Sequence, residues 1–285
     1  MASALNGNGR AWPLQPAGRI ALLDVDPDLA GHASDANRAA LRDKLTAPVY
    51  RLATGAMPLP RDPVGHGHLG YLVLKGLLLY EVTACGRTTA ELLGPGDLVR
   101  PWARNGSGTL PTKVAWTVLE QALLADLGPA ARSHAGDEPG VTEALIMRCA
   151  DRAEAVAIQR SITAHVRVDV RVLAYLWHLA DRFGVVIPGA VKLDIPLTHA
   201  VLARLVGARR PTVTTALQRL IHLGYLRRDA RAFILAGDGS AVAELESRSP
   251  SRDFALPAST NGHAPSSTNG HAPVSTDGHA PALAG

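Results

Sequence analysis

The sequence predicts an α+β chain: a jelly-roll-like β-domain, then one long helix, then a helical domain that ends in two short helices and a basic hairpin. Three observations carry this expectation. Between residues 46 and 120, short apolar or alternating runs are separated by turns rich in Gly and Pro, the pattern of a small antiparallel β-domain. From Val141 onward, Val141, Leu145, Cys149, Ala153 and Val156 recur every three or four residues, the period of a helix seam. Pro196 to Leu235 reads as a capped helix, a glycine stop, a second helix and an arginine-rich hairpin.

Length and composition set the frame. At 285 residues, two domains plus tails are expected, and 47% hydrophobic content supplies their cores. No run of about eighteen apolar residues predicts a membrane span, and the first residues lack the apolar core of a signal peptide. A cytoplasmic protein is expected. Two cysteines, Cys85 and Cys149, make neither a disulfide framework nor a four-thiolate cluster, so no cofactor is predicted.

Residues 1–18 are rich in Gly, Asn and Pro and are expected to be disordered. Ile20–Val25 reads as a short apolar strand or turn, followed by a helix with Ala39, Leu41 and Leu45 inward. In HLGYLVLKGLLLYEV two strands are expected, broken at Gly76. Thr88–Leu93 and Val114–Leu119 complete the set, with a sharp corner at Gly94–Pro95–Gly96. The β-domain is assigned residues 19–140. Within it, QALLADLG reads as a short helix and HAGDEPG as a break. His66 and His68 have the spacing of two metal ligands on a strand. The nearby carboxylate and the further histidine that such a site needs are missing, so no metal is predicted and no enzyme activity.

Residues 141–168 are assigned to a dimerisation helix, with Val141, Leu145, Cys149 and Val156 on the seam and Ile162 near its far end. A helix of about 25 residues spans about 38 Å, long for a domain core and suited to a two-stranded coiled coil. Residues 169–240 form the last domain; Val172, Leu173, Leu176 and Leu179 are the inner face of its first helix. Residues 241–285 are expected to be a disordered tail. It repeats STNGHAP, STNGHAP and STDGHAP every eight residues, with too little apolar surface to offset its ordering entropy.

The chemistry concentrates at Pro196–Leu235. Thr198 is an N-cap, Gly207 a stop, and Pro211 suits the first turn of the second helix. Val213, Leu217, Leu220 and Ile221 are expected to face inward. The outer face is left with Arg209, Arg210, Thr212, Thr214, Thr215, Gln218 and Arg219. Arginine reads guanine edges or phosphate, threonine offers a hydroxyl and a methyl, and glutamine pairs with adenine. Between Thr198 and Leu235, seven arginines against one aspartate leave +6, while the whole chain carries +4. Such a concentration of charge points to double-stranded DNA. Arg227, Arg228 and Arg231 on the hairpin are assigned to flanking phosphates. His199 and the first turn at Thr198 are assigned to positioning the backbone.

The run LTHAVLARLVGARRPTVTTALQRLIHLGYL, with the hairpin at 226–235, resembles the winged helix–turn–helix of the cyclic-AMP receptor protein and fumarate–nitrate regulator (Crp/Fnr) superfamily of bacterial transcription factors. YLVLKGLLLYEV and ELLGPGDLV resemble the core of that family's effector domain. The resemblance implies a homodimer on a pseudo-palindromic operator, with recognition helices about 34 Å apart, and RNA polymerase as a further partner. It breaks at the nucleotide site. Family members that bind cyclic nucleotides have a Gly–Glu pair after the corner and an Arg–Ser pair later. Here Arg100–Pro101 follows the corner, and no Arg–Ser pair precedes Val114. The cations left for an anionic effector are Arg100, Arg104 and Lys113. Control by cyclic AMP is therefore not expected.

Overall fold

The β-domain is one antiparallel sheet wrapped around two long central strands. The computed structural model describes residues 15–31, 35–57, 68–101 and 109–248. The strands are β1 (Gln15–Ala21), β2 (Thr46–Leu52), β3 (Gly55–Met57), β4 (Gly70–Ala84), β5 (Arg87–Leu93), β6 (Leu98–Val99) and β7 (Thr112–Leu127). Their order is β1-β2-β7-β4-β5, with β3 on β7 and β6 on β4. The first strand starts inside the stretch expected to be disordered. It ends at Ala21, where Leu22–Asp24 turn into a 3-10 helix.

Two expectations fail here for one reason, the two-sided pairing of β7. The helix read at QALLADLG is strand: Ala122–Ala125 pair with β2 on one side, and Leu123–Leu127 with β4 on the other. A ladder on both edges outweighs the helical propensity of Ala and Leu. Gly76 does not break β4 in two. The strand runs through it with φ +89°, and the register with β7 shifts on either side of it. A Cβ at Gly76 would lie 2.4 Å from the Gln121 carbonyl oxygen, so only glycine lets β7 approach this closely.

Helix α1 (Asp35–Lys44) turns Leu41 inward, with Leu45 buried just beyond it; Ala39 faces solvent. The expected break HAGDEPG is instead α2 (Pro129–Asp137), and Glu138 alone separates it from α3 (Pro139–Ala164). Pro139 sits in the first turn of α3, where no N–H is needed.

The face of α3 that packs on the sheet is polar and heavily bonded. Arg148 forks onto both oxygens of Asp26 at 2.5 and 2.6 Å. Arg152 forks onto Glu91 at 2.7 and 2.9 Å. Gln159 donates to the carbonyls of Ala90 and Leu205 at 2.7 and 2.9 Å. The seam expected for a partner helix is therefore redrawn. Val141 and Leu145 are buried against Leu22, Leu29 and Leu45 of their own chain, and Ile162 belongs to the core of the last domain. Val156 is half-buried and Cys149 is exposed. On the side away from the sheet, Ile146, Ala150, Ala153 and Ala157 lie exposed at helical spacing.

The last domain begins with α4 (Val168–Phe183), followed by β8 (Gly184–Ile187) and β9 (Ala190–Leu193). Then come α5 (His199–Leu205), α6 (Arg210–His222), β10 (Leu226–Asp229), β11 (Ala232–Ala236) and α7 (Ala241–Ser247). Its sheet is ordered β10-β11-β9-β8. Val172, Leu173, Leu176 and Leu179 are buried, as their spacing requires. The tail starts later than expected: α7 lies inside the assigned tail, with Ala241 and Leu245 packed into the same core as α4. The repeats themselves lie outside the described residues. Leu77, Leu79 and Leu92 of the β-domain share that core too, so the chain through Ser247 is one compact unit.

Candidate nucleic-acid interface

Local chemistry sets the two helices at a fixed angle. The Thr198 hydroxyl accepts the Val201 N–H at 3.2 Å and caps α5. Gly207, at φ +63°, ends that helix and frees the chain to turn. Arg209 is the N-cap of α6, and no side chain caps its first turn. Val213, Ala216, Leu217 and Leu220 are buried; Ile221, expected inward, is 42% exposed because it lies one position off the buried stripe.

The candidate contact residues fall into two groups. Arg209, Arg210, Thr212, Thr215 and Gln218 are exposed on α6, which carries no acidic residue. The Thr215 hydroxyl donates to the Pro211 carbonyl at 3.3 Å. The remaining two are held internally. The Thr214 hydroxyl donates to the Arg210 carbonyl at 3.1 Å, so its oxygen accepts from His199 Nδ1 at 2.9 Å. That bond joins the start of α5 to α6, a positioning role for His199. Arg219 does not face outward. Its Nη1 lies 3.0 Å from Asp169 Oδ2, and its side chain is 24% exposed. It sits at the edge of the buried stripe and reaches α4 instead.

Asp169 was not singled out in the sequence, and it holds the domain's polar centre. It is 6% exposed overall. It also accepts from Arg167 at 2.9 and 3.2 Å and from the Val170 N–H at 3.0 Å. Burial raises its pKa, but the Arg167 hydrogen bond and charge, the Val170 N–H and Arg219 outweigh this and hold it below the ordinary carboxylate range. Arg171 ties the same helix to the turn, donating to the carbonyls of Val206 and Gly207 at 3.4 and 3.3 Å. No spacing rule separates these arginines from phosphate-binding ones; only their partners do.

On the hairpin, Arg227 and Arg228 are exposed on β10. The Arg228 guanidinium lies 4.1 Å from the ring centroid of Phe233, its cross-strand partner on β11, a cation–π contact that orders the side chain. Arg231 is engaged with Asp194 at 2.7 Å, although both remain exposed.

The cations proposed for an effector do not converge. Arg100 packs against Gly70, where β4 begins, and Lys113 pairs with Thr83, thirteen residues along the same strand. At about 3.3 Å per residue, that is on the order of 40 Å. Arg104 lies outside the described residues, as does His66.

The Crp-like helix-turn-helix domain family matches residues 170–239, the stretch that holds α4 to β11. The chain is 29% identical over 154 residues to the CRP-like cAMP-activated global transcriptional regulator of Mycobacterium tuberculosis. Residues 170–239 are thus similar to a Crp-like helix-turn-helix domain. The alignment to the mycobacterial relative covers 54% of this chain and 65% of the relative, so the chain spans less than two thirds of the relative's length. The fold is similar to that of solved structures over 70–71% of the chain. A CooA variant from Carboxydothermus hydrogenoformans has a TM-score of 0.55 at 17% identity, covering 70% of this chain and 87% of that one. FixK2 from Bradyrhizobium japonicum has a TM-score of 0.51 at 16% identity, covering 71% and 98%. Among the described residues, no helix is long and apolar enough to cross a membrane.

Proposed function

We propose that this chain is a sequence-specific DNA-binding transcription regulator that acts as a homodimer in the cytoplasm and meets RNA polymerase at its promoters. The observation that carries this reading is the α6 face. Arg209, Arg210, Thr212, Thr215 and Gln218 are exposed there, with no acid among them and with Arg227 and Arg228 beside them on the hairpin. Arg210 and Gln218 are the base-reading residues. Arg209, Arg227 and Arg228 are the phosphate contacts. His199 and Thr214 set the angle of the helix, and Arg219 acts only through Asp169. Residues 19–140 are the effector part, 141–168 the dimerisation helix and 169–240 the DNA-binding part, to which α7 is added. Dimerisation uses the exposed Ile146, Ala150, Ala153 and Ala157 face of α3.

Regulation by cyclic AMP is not part of this proposal, unlike the activation named for the mycobacterial relative. Arg100–Pro101 stands where a Gly–Glu pair is needed, and Arg100 and Lys113 are too far apart to share one phosphate. Genome-wide mapping of bound DNA, followed by titration of one mapped site, tests the reading. Arg210→Ala should cost about 1–3 kcal/mol and relax preference at one base pair per half-site. If the parent protein gives no sequence-enriched sites, or Arg210→Ala binds a mapped site unchanged, the proposal fails.

A further inference from the structure

We infer that the cleft where α3, α4 and the β5–β6 corner meet is a binding site for a small organic cation, an ammonium group carried on an apolar body. The cleft has a volume of about 420 Å³, within the range of small-molecule sites, roughly 300–1,000 Å³. Tyr175 lines it from α4. The residue is 2% exposed, and its hydroxyl has no hydrogen-bond partner among the described residues. The ring is buried while the hydroxyl itself is reached from the cleft, so it is free to pair with a ligand's polar atom.

The charge of the lining sets the sign of the ligand. Its three arginines are already committed: Arg148 to Asp26, Arg152 to Glu91 and Arg182 to Asp97. Asp151, Glu154 and Asp181 line the same cleft and have no ion-pair partner among the described residues. Net negative charge therefore faces the space. His178, whose ring centroid is 5.8 Å from that of Tyr175, adds no opposing charge, because burial pushes its pKa down and favours the neutral ring. Burial and the Glu91 carboxylate both raise the Tyr175 pKa, so the phenol stays protonated. Its oxygen is left as an acceptor for an ammonium N–H. Leu92, Leu179 and Phe183 give the cleft an apolar wall for the body of the ligand. An anion would meet arginines that are already neutralised, and a purely apolar molecule would leave Tyr175 unpaired. A bound cation would touch the β-domain corner and α4 together.

Calorimetric titration of the full chain with phenethylammonium, its neutral analogue phenethyl alcohol and the anionic analogue hydrocinnamate tests the assignment. The ammonium should saturate one site per chain. The alcohol should bind about tenfold more weakly, and the anion more weakly still. Tyr175→Phe should weaken ammonium binding by about fivefold. Asp181→Asn, on the exposed rim, should weaken it as well while leaving the circular dichroism spectrum and melting temperature in place. The assignment is overturned by any of four results. These are no saturable ammonium binding in the millimolar range, equal affinity for the alcohol, tighter binding of the anion, or a folded Tyr175→Phe protein with unchanged affinity.

Discussion

Replacing Asp169 by alanine should destabilise the fold by about 2–4 kcal/mol without touching the exposed face of α6. The magnitude follows from what is left behind. Asp169 accepts from Arg167, Arg219 and the Val170 N–H, and its removal takes the carboxylate from two guanidiniums whose side chains are 22% and 24% exposed, although Arg167 keeps its bonds to the Leu245 and Glu246 carbonyls. Breaking a fully buried pair costs about 3–5 kcal/mol, and an exposed pair is worth about 0–1. These two arginines lie nearer the buried limit but reach some water, hence the intermediate figure. For a folded unit of this size, about 2–4 °C are lost per kcal/mol, so the melting temperature should fall by roughly 5–15 °C. Arg219→Ala should cost less, about 1–2 kcal/mol, because Arg167 still neutralises the carboxylate. The coupling between the two substitutions in a double-mutant cycle should be about 1–3 kcal/mol.

The pH dependence carries a sign. The Asp169 carboxyl titrates below its ordinary value in the fold, so its contribution is present above the unfolded pKa, about 4, and is lost as pH falls through the lower folded value. The gap between parent and Asp169→Ala should therefore narrow in acid. Urea denaturation followed by circular dichroism, at neutral pH and at about pH 3, gives both quantities. A loss below about 0.5 kcal/mol for Asp169→Ala would refute the reasoning. So would an Arg219→Ala protein of parental stability that binds DNA poorly, since that is the behaviour of a contact residue.

Three further outcomes are expected. Gly76→Ala should cost about 3 kcal/mol or more, because its Cβ would meet the backbone of Gln121 and Ala122 at 2.4–2.6 Å; a parental urea midpoint would contradict the tight β4–β7 approach. His178 is held toward its neutral form by burial, so the folded state binds its proton less readily than the unfolded one. Its contribution is present above about pH 6.5 and is lost as pH falls below that; His178→Gln should flatten the stability profile between pH 7 and 5, measured by thermal melts. Ala153→Glu should separate the proposed dimer by placing an unpaired charge on each side of the α3 seam; sedimentation showing the parent as a monomer at micromolar concentration would remove the seam altogether.

The sequence by itself determined the order of parts, the cap at Thr198, the stops and starts at Gly207 and Pro211, and the buried stripe of α6 except for Ile221. These depend on a residue and its neighbours within a turn or two: a hydroxyl three positions from an N–H, a glycine at positive φ, an apolar residue every third or fourth place. The charge of the 198–235 segment was legible for the same reason, since arginines can be counted without knowing where they point.

Tertiary structure alone decided which of those arginines are available. Arg210 and Arg219 lie on one helix and read alike in sequence, yet Arg219 reaches Asp169, fifty residues earlier in the chain. Arg231 meets Asp194 in the same way. QALLADL became a strand because β2 and β4 flank it, and Val141 and Leu145 are core rather than seam because Leu22, Leu29 and Leu45 cover them. In each case the deciding partner is distant in sequence. A lone side chain or segment cannot encode whether its hydrogen bonds and apolar surface will be satisfied within the chain or left for something else to bind.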